Sequence, residues 1–259
     1  LESTMKIVAI IQARMSSVRL PGKVLMELAG KPVLAHVVER VQTCRQLQGI
    51  MVATSVDPSD DVIEHWCAEN KVPCYRGSLI DVLDRYVQAA RACSADAVVR
   101  ITADCPAIDP NIVDEVIKNF VDHGYDCYGL TGEFPDGLDC TVFKTSALVR
   151  AWSEASLPSE REHVGPYIEK NPHIFKVGGI EKFRRLDNMR WTLDEPRDYL
   201  FLSEIFSRLY SASKQFCTED VLALLEKERS LASINANIVR NEGYLKSLQQ
   251  EKANHVQLG

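Results

Sequence analysis

The feature that most constrains the fold is an apolar segment near the start of the chain that runs directly into a cationic loop. Residues 7–11 are apolar and mostly β-branched without alternation, which is typical of a strand covered on both faces of a parallel sheet. The loop that follows carries three fixed positive charges and two hydroxyl groups, on Arg14, Ser16, Ser17, Arg19 and Lys23. Because ligands meet such a sheet at the carboxyl ends of its strands, the loop is predicted to bind an anion.

A polyphosphate would match the charge of this loop. A nucleoside triphosphate carries about three to four negative charges, and guanidinium groups bind phosphate oxygens bidentately. Loop amides can donate further hydrogen bonds to the same anion. A solvated basic loop after an edge strand is the structural alternative. The sequence lacks Gly-x-x-x-x-Gly-Lys-Ser/Thr, so the loop is not a Walker loop.

Apolar strands and amphipathic helices alternate through about residue 125. The pattern predicts further strands at 50–53, 74–75 and 97–101, and helices at 33–44, 58–70, 79–93 and 109–123. Such alternation favours a three-layer α/β fold with a mostly parallel sheet and right-handed crossovers.

Beyond residue 125 the pattern is less regular. It predicts a loop at 129–137, strands at 138–143, 174–177 and 186–192, and helices at 145–155, 161–170, 196–210, 221–229 and 240–251. We therefore expect one α/β domain over residues 5–210 and a helical C-terminal extension over residues 211–259.

Composition excludes several classes of function. A net charge of −6 with a pI near 5.6 disfavours a nucleic-acid binder that works through a broad basic face. The eight cysteines are scattered without a Cys-x-x-Cys pair, which indicates reduced thiols, and the N-terminus has no signal-peptide pattern. No apolar run approaches the roughly 20 residues that a membrane span needs. A cytoplasmic protein without membrane insertion is the expectation.

Two aspartates follow predicted strands, where a metal site could form. Asp104 follows the strand at 97–101, and Asp194 follows the strand at 186–192 and precedes a helix. Mg²⁺ prefers one or two carboxylates together with phosphate oxygens and water. The structural alternatives are a turn-forming aspartate at Asp104 and a helix N-cap at Asp194.

Several motifs resemble those of the cytidylyltransferases that make CMP-activated sugars. They are Gln12-Ala13-Arg14 with Ser17 and Arg19-Leu20-Pro21-Gly22-Lys23, Tyr75-Arg76-Gly77-Ser78 with Asp81-Val82-Leu83-Asp84-Arg85-Tyr86, Thr102-Ala103-Asp104-Cys105-Pro106, and Arg190-Trp191-Thr192-Leu193-Asp194-Glu195-Pro196. The resemblance covers roughly residues 6–200. It is nearest to the spore-coat polysaccharide cytidylyltransferase-like proteins and more distant from the 3-deoxy-manno-octulosonate and acylneuraminate cytidylyltransferases. It implies a Rossmann-like fold of the nucleotide-diphospho-sugar transferase type.

The resemblance also implies roles for individual residues. Catalytic roles fall on Arg14, Lys23, Asp104 and Asp194, with Asp104 and Asp194 as the Mg²⁺ ligands. Nucleotide-binding roles fall on Ala13, Arg14, Ser17, Arg19 and Lys23 at the triphosphate, and on Arg76, Ser78 and Arg85 near the base and ribose. Sugar-binding roles fall on Asp136, Asp139, Glu162 and His163. His163 could equally be a polar helix residue, and Asp81 and Asp84 are structural by local pattern.

The chain departs from the family at one position near the sugar site. An acidic residue is expected two places after Asp139, where this chain has Thr141. If that carboxylate helps to orient the sugar, the acceptor differs here.

These observations predict an enzyme that transfers CMP from CTP to a sugar, with release of pyrophosphate, in cell-surface polysaccharide biosynthesis. A 2-keto-3-deoxy sugar acid or a related surface-polysaccharide sugar is the expected acceptor. A nucleotide-sugar-dependent glycosyltransferase is one alternative, although its usual Asp-x-Asp motif is missing; a non-catalytic nucleotide-binding module is another. A homodimer is one expectation, because dimers are the commonest assembly.

Overall fold

The structure, a computed structural model, describes residues 5–211, 215–238, 240, 244–245, 247–249 and 251. The strands are β1 (Ile7–Gln12), β2 (Glu27–Leu28), β3 (Lys31–Pro32), β4 (Gly49–Ser55), β5 (Cys74–Gly77), β6 (Ala97–Thr102), β7 (Cys127–Thr131), β8 (Thr141–Lys144) and β9 (Val177–Glu181). The α-helices are α1 (Val33–Gln42), α2 (Asp61–Glu69), α3 (Val82–Ala92), α4 (Pro110–His123), α5 (Thr145–Glu154), α6 (Pro158–His163), α7 (Pro166–Glu169), α8 (Pro196–Leu209) and α9 (Thr218–Lys227).

Seven strands form one sheet in the order β5-β4-β1-β6-β8-β7-β9, and β2 and β3 form a separate pair. The strands β5, β4, β1 and β6 are parallel, whereas β8 is antiparallel to both of its neighbours. Helices cover both faces of the sheet, with α1, α4 and α8 on one face and α3 and α5 on the other. The predicted three-layer, mostly parallel α/β fold is confirmed.

The central position of β1 explains its unbroken apolar sequence. Ala9, Ile10 and Ile11 are fully buried, because adjacent residues face the two different helical layers. Parallel pairing to β4 and β6 aligns the carboxyl ends of all three strands at one edge of the sheet. The cationic loop after β1 therefore lies beside the loop after β6, which contains Asp104.

The second half of the chain differs from the prediction in several elements. Strand β7 was not predicted, and its last three residues fall in the loop predicted over 129–137. Strands β8 and β9 begin three residues later than expected. The strand predicted over 186–192 is wrong, because only an isolated bridge joins Arg190 to Asp136. Gly137 explains the close crossing of these segments: its φ is +106°, and a Cβ there would lie 2.6 Å from the Thr192 nitrogen.

The helix predicted over 161–170 is also wrong as a single element. Val164 has a φ of 70°, which ends α6 and separates it from α7. A left-handed backbone at this residue cannot continue a right-handed helix.

The C-terminal residues pack on the same core as the α/β sheet. Phe216, Val221 and Leu231 join the apolar cluster that lies beneath α1 and α8. The helix predicted over 240–251 lies partly outside the described residues, and residues 244, 245, 247–249 and 251 are helical. Within the described part of the chain, every helix is too short or too polar to cross a membrane.

Candidate active site

A cavity of about 520 Å³ lies at the carboxyl ends of β1 and β6. Ten of the predicted site residues line it, namely Arg14, Ser17, Arg19, Lys23, Asp104, Asp136, Asp139, Glu162, His163 and Asp194. The structure thus brings together side chains from both halves of the chain. This volume is in the range of ordinary small-molecule sites.

Lys23 joins the two aspartates that the sequence singles out. Its Nζ donates hydrogen bonds to Asp104 Oδ2 at 2.5 Å and to Asp194 Oδ1 at 2.6 Å. Gly22 makes this placement feasible, because its φ of 72° turns the chain into a short 3-10 helix that begins at Lys23. A backbone hydrogen bond of 2.8 Å from the Leu193 nitrogen to the Asp104 carbonyl fastens the two aspartate loops together.

The electrostatics of this triad favour charged partners. Burial opposes the charged form of Lys23, but the two carboxylates outweigh it and raise the pKa of Lys23 above its ordinary value. Burial likewise opposes ionisation of Asp104, but the charge and hydrogen bond of Lys23 hold the pKa of Asp104 below its usual range. Asp194 does not act as the N-cap of α8, because Glu195 holds that position. Asp104 lies in a turn after β6, as its structural alternative expected.

Arg190 holds a second set of carboxylates next to this triad. Its guanidinium donates to Asp136 at 2.7 Å, to Asp194 at 3.0 Å and to Asp198 at 3.0 Å. Asp198 is fully buried and also accepts the backbone N–H of Asp194 at 2.9 Å. Arg19 adds another contact to Asp194, at 3.1 Å. We call the cations Arg19, Lys23 and Arg190, together with their aspartates, the aspartate side of the cavity.

Asp136 has the most unusual titration on the aspartate side. Burial raises its pKa to about 7, and the neighbouring charge of Asp139 acts in the same direction. Arg190 opposes this shift but shares its charge with two other carboxylates. A carboxyl group of this kind exchanges its proton near neutral pH.

Three arginines have no carboxylate partner among the described residues: Arg14 and Arg100 line the cavity, and Arg85 lies outside its lining but close enough to Arg14 for their charges to interact. Within the described residues, no ion pair joins Arg14, Arg85 or Arg100 to an acid. Arg85 is fully buried, and all three of its guanidinium nitrogens lack a hydrogen-bond partner in the described part of the chain. Burial lowers the pKa of Arg85, and the nearby charge of Arg14 adds to this effect. We call these three residues the arginine side.

Four predicted nucleotide-binding residues do not line the cavity. Ala13 is buried in the core and bonds through its backbone N–H to Ala53 at 3.1 Å. The guanidinium of Arg76 forms ion pairs with Asp61 and Glu64. The hydroxyl of Ser78 accepts a hydrogen bond from the backbone N–H of Asp81 at 3.0 Å. Arg85 is the fourth of these residues.

The predicted sugar-binding residues all line the cavity, and C-terminal residues contact three of them, including Asp139, which pairs with Arg240 at 3.7 Å. Ser247 Oγ donates to Glu162 at 2.9 Å and lies 3.2 Å from His163 Nε2. The ring of Tyr244 packs edge-on against His163 at 4.9 Å and also lines the cavity. Burial lowers the pKa of His163, with Arg100 and Arg14 adding to this effect, so its imidazole is neutral at pH 7.

Sequence reasoning missed several residues of the site. Arg190 and Asp198 lie in or beside a recognised motif, but nothing local shows that they form a buried network. Arg100 carried a usable signal, because it is a charge within the otherwise apolar strand at 97–101. Asn235 and Tyr244 lie in a tail that also resembles the spore-coat group, but their contacts depend on how that tail folds back, which no local pattern shows.

The fold and this site define a class of enzyme. A cationic loop after the first strand of a parallel sheet, facing two aspartates from other loops, is the arrangement of a nucleotidyltransferase, which needs phosphate-binding cations beside carboxylates. The matches to known proteins narrow this class.

A sequence profile described as cytidylyltransferase matches residues 8–243, and the chain belongs to that family. It is 32% identical over 209 residues to the spore coat polysaccharide biosynthesis protein SpsF of Bacillus subtilis (strain 168), covering 78% of this chain and 87% of that protein. A solved cytidylyltransferase from Leptospira borgpetersenii serovar Hardjo-bovis (strain JB197) superposes with a TM-score of 0.84 at 32% identity, covering 91% of this chain and 98% of that one.

The fold also extends to a more distant solved structure. The CMP:2-keto-3-deoxy-manno-octonic acid synthetase complexed with CTP superposes with a TM-score of 0.58 at 18% identity, covering 78% of this chain and 99% of that one.

Proposed function

We propose that this nucleotidyltransferase transfers CMP from CTP to a sugar acceptor, with release of pyrophosphate, in the biosynthesis of a cell-surface polysaccharide. The observation that carries the proposal is the convergence of Asp104 and Asp194 on the ammonium of Lys23, within a cavity that is also lined by Arg14 and Arg19. The relative named for spore coat polysaccharide biosynthesis supports the sugar class.

Displacement at a phosphorus atom needs positioning and charge neutralisation more than covalent catalysis. Arg14, Arg19 and Lys23 neutralise the triphosphate and the pyrophosphate that leaves. The side chains Asp136, Asp139, Glu162 and His163 bind and orient the acceptor, so that its oxygen faces the α-phosphorus.

The donor set of the site fits Mg²⁺. Two carboxylates already share one cationic nitrogen, and no group of three or more His, Cys, Asp or Glu side chains capable of binding a metal occurs among the described residues. Mg²⁺ is commonly bound by one or two carboxylates plus substrate phosphates, so Asp104 and Asp194 would hold it. When bound, the ion would polarise the phosphoryl oxygens and offset their charge.

Pyrophosphate release tests this proposal. The protein is incubated with CTP, Mg²⁺ and a panel of 2-keto-3-deoxy sugar acids and related sugars, and pyrophosphate is measured. Asp104→Asn and Asp194→Asn are each expected to lower turnover by about 1,000-fold or more. Asp122→Asn is the control, because Asp122 is exposed on α4 and pairs only with Lys118.

Two outcomes would contradict the proposal. Wild-type turnover in the Asp104→Asn, Asp194→Asn double variant would exclude the metal ligands. Thermal stabilisation by CTP without pyrophosphate release from any acceptor would instead favour a nucleotide-binding module, because binding stabilises a protein whether or not chemistry follows.

A further inference from the structure

Asp60 is a buried carboxylate near the cationic loop that follows β1. The residue is fully buried and does not line the cavity. Among the described residues, no ion pair joins it to a cation. It precedes α2, but its side chain makes no capping hydrogen bond to that helix. Because a buried charge is costly unless hydrogen bonds satisfy it, the contacts of this carboxylate indicate its role.

The carboxylate of Asp60 joins the end of β4 to the cationic loop. Its Oδ1 accepts the backbone N–H of Met15 at 2.7 Å. Its Oδ2 accepts the backbone N–H of Ser55 at 3.2 Å and also the Ser55 hydroxyl. Ser55 is the last residue of β4, which pairs with β1. The carboxylate therefore fastens the loop after β1 to the neighbouring strand.

Met15 is in turn the residue at which the loop closes on itself. Its carbonyl oxygen accepts the backbone N–H groups of Ser17 and Gly22, both at 2.9 Å. Gly22 directly precedes Lys23, whose ammonium joins the two aspartates of the cavity. Packing does not hold the tip of the loop, because Val18 is 96% exposed. Hydrogen bonds that converge on Met15 therefore hold the loop between its tip and Lys23.

We propose that Asp60 is a positioning residue for the reaction, which holds the cationic loop in its phosphate-binding shape before the nucleotide binds. This inference rests on the proposed function and adds to it a residue that touches no substrate. A loop that is ordered in advance loses less conformational entropy when it binds an anion, so its affinity is higher without any new contact. The gain applies to the phosphate groups that the loop binds and not to the rest of the nucleotide.

Three roles for Asp60 predict different results when its charge is removed. If its negative charge acted only through electrostatics, it would repel a phosphate bound by the nearby loop, and its removal would tighten binding. A purely structural role would lower stability and leave the relative affinities for different ligands unchanged. A positioning role predicts weaker phosphate binding, although a repulsive charge has been removed.

Binding of inorganic tripolyphosphate, CTP and CMP tests the proposal without turnover. Dissociation constants are measured by calorimetry with Mg²⁺, at a temperature where circular dichroism shows that every variant is folded. Asp60→Asn should weaken the binding of tripolyphosphate and of CTP by about 10-fold or more, because an amide has one oxygen and cannot accept from both Met15 and Ser55. The affinity for CMP, which lacks the β- and γ-phosphates, should change much less.

Asp109→Asn is the matched control. Asp109 is 1% exposed and, like Asp60, accepts three hydrogen bonds. They come from the Asn111 nitrogen at 2.9 Å and from the backbone nitrogen and hydroxyl of Thr218, both at 2.7 Å. Asp109 joins the start of α4 to α9 and does not line the cavity. Asp109→Asn should lower stability but keep the wild-type ratio of CTP affinity to CMP affinity.

Hydrogen exchange in the wild type tests the same idea without a variant. The backbone amides of Met15, Ser17 and Gly22 should exchange slowly in the free protein, and CTP should slow them little further. Fast exchange that becomes slow only with CTP would show that the nucleotide shapes the loop, and the inference would be wrong.

Three binding results would also overturn the inference. They are unchanged or tighter tripolyphosphate binding in Asp60→Asn, an equal loss in Asp109→Asn, and no binding of tripolyphosphate to the wild type. The proposed function fails on a different result, which is the absence of pyrophosphate release from CTP with every acceptor. Because tripolyphosphate binding requires neither cytidine nor chemistry, the two failures are distinguishable.

Discussion

The aspartate side and the arginine side differ in whether their cations are paired with carboxylates of the chain. Lys23 and Arg190 are held by carboxylates that belong to the chain, whereas Arg85 and Arg100 have buried nitrogens without partners. A cation that is already paired with carboxylates of the chain holds those carboxylates in place, because they lose their partner if the cation is removed. A cation without a partner gains one when an anion binds. The comparison therefore separates cations that are already paired within the chain from cations that have no partner among the described residues.

The largest effect should come from breaking the network of the aspartate side. Arg190→Met would leave Asp198, which is fully buried, and Asp136 without their guanidinium partner. Removing one partner of a buried ion pair costs about 3–5 kcal/mol, so the free energy of unfolding should fall by about that amount. Chemical denaturation measures this change.

Arg208→Met is the matched control for Arg190→Met. Arg208 pairs with Glu204 and Glu228 on the surface, where such pairs contribute about 0–1 kcal/mol. Equal losses in the two variants would show that the buried network does not hold the aspartate side together.

The next effect concerns the pH dependence that Asp136 imposes on stability. Its pKa of about 7 in the folded state lies above the ordinary value of 3.8, so the folded protein binds the extra proton between these values. Its contribution to stability is fully present below about pH 4 and is lost as the pH rises through 7. The shift corresponds to about 4 kcal/mol as an upper bound.

Asp136→Asn should remove this dependence. Denaturation midpoints measured from pH 5 to pH 8 should fall more steeply for the wild type than for the variant. Parallel curves would mean that Asp136 is ionised throughout this range. Asp122→Asn, at an exposed position on α4, should leave the slope unchanged.

The third prediction is a gain in stability, in contrast to the loss expected for Arg190→Met. Arg85→Met removes a buried guanidinium whose three nitrogens have no partner, so the free protein should become more stable by about 1–3 kcal/mol. The thermal shift produced by CTP should shrink if the nucleotide is the partner of Arg85. Destabilisation comparable to that of Arg190→Met would show that Arg85 belongs to the structural set.

The sequence was sufficient for the parallel strands β1, β4, β5 and β6, because its signals there are local. The unbroken apolar run of β1 and the alternation of strands with helices depend on periods of a few residues, which tertiary contacts rarely override. The strand predicted over 186–192 failed for the opposite reason. That segment crosses Gly137 and carries Arg190 into a charge network that no local pattern reveals.

In the candidate site, too, some features could be predicted from local sequence and others depend on distant contacts. The loop after β1 and the two aspartates were predictable, because charge at a strand end has a direct chemical interpretation. The pairing of Lys23 with both aspartates depends on contacts across 81 and 171 residues of sequence. The contacts of the C-terminal segment could not be predicted from local sequence either. A variant in this segment has the smallest of the expected effects.

Asn235 connects the C-terminal segment to the aspartate side. Its amide nitrogen lies 2.9 Å from Asp198 Oδ1 and 2.9 Å from the Arg190 carbonyl oxygen, and the residue is 3% exposed. Asp198 in turn accepts the backbone N–H of Asp194, so the amide positions a proposed metal ligand through one intermediate. Asn235→Ala should lower the free energy of unfolding by about 1–2 kcal/mol, because a buried carboxylate loses a donor.

If the role of Asn235 is purely structural, Asn235→Ala should lower stability and leave the kinetic constants unchanged. If Asn235 also positions Asp194, the variant should lower kcat more than it changes the KM for CTP. The reason is that Asp194 acts when charge develops in the transition state rather than when the nucleotide first binds. Asn119→Ala is the control, since Asn119 donates only to the Glu115 carbonyl within α4. An unchanged kcat at a temperature where Asn235→Ala is fully folded would show that Asn235 stabilises the fold without positioning Asp194.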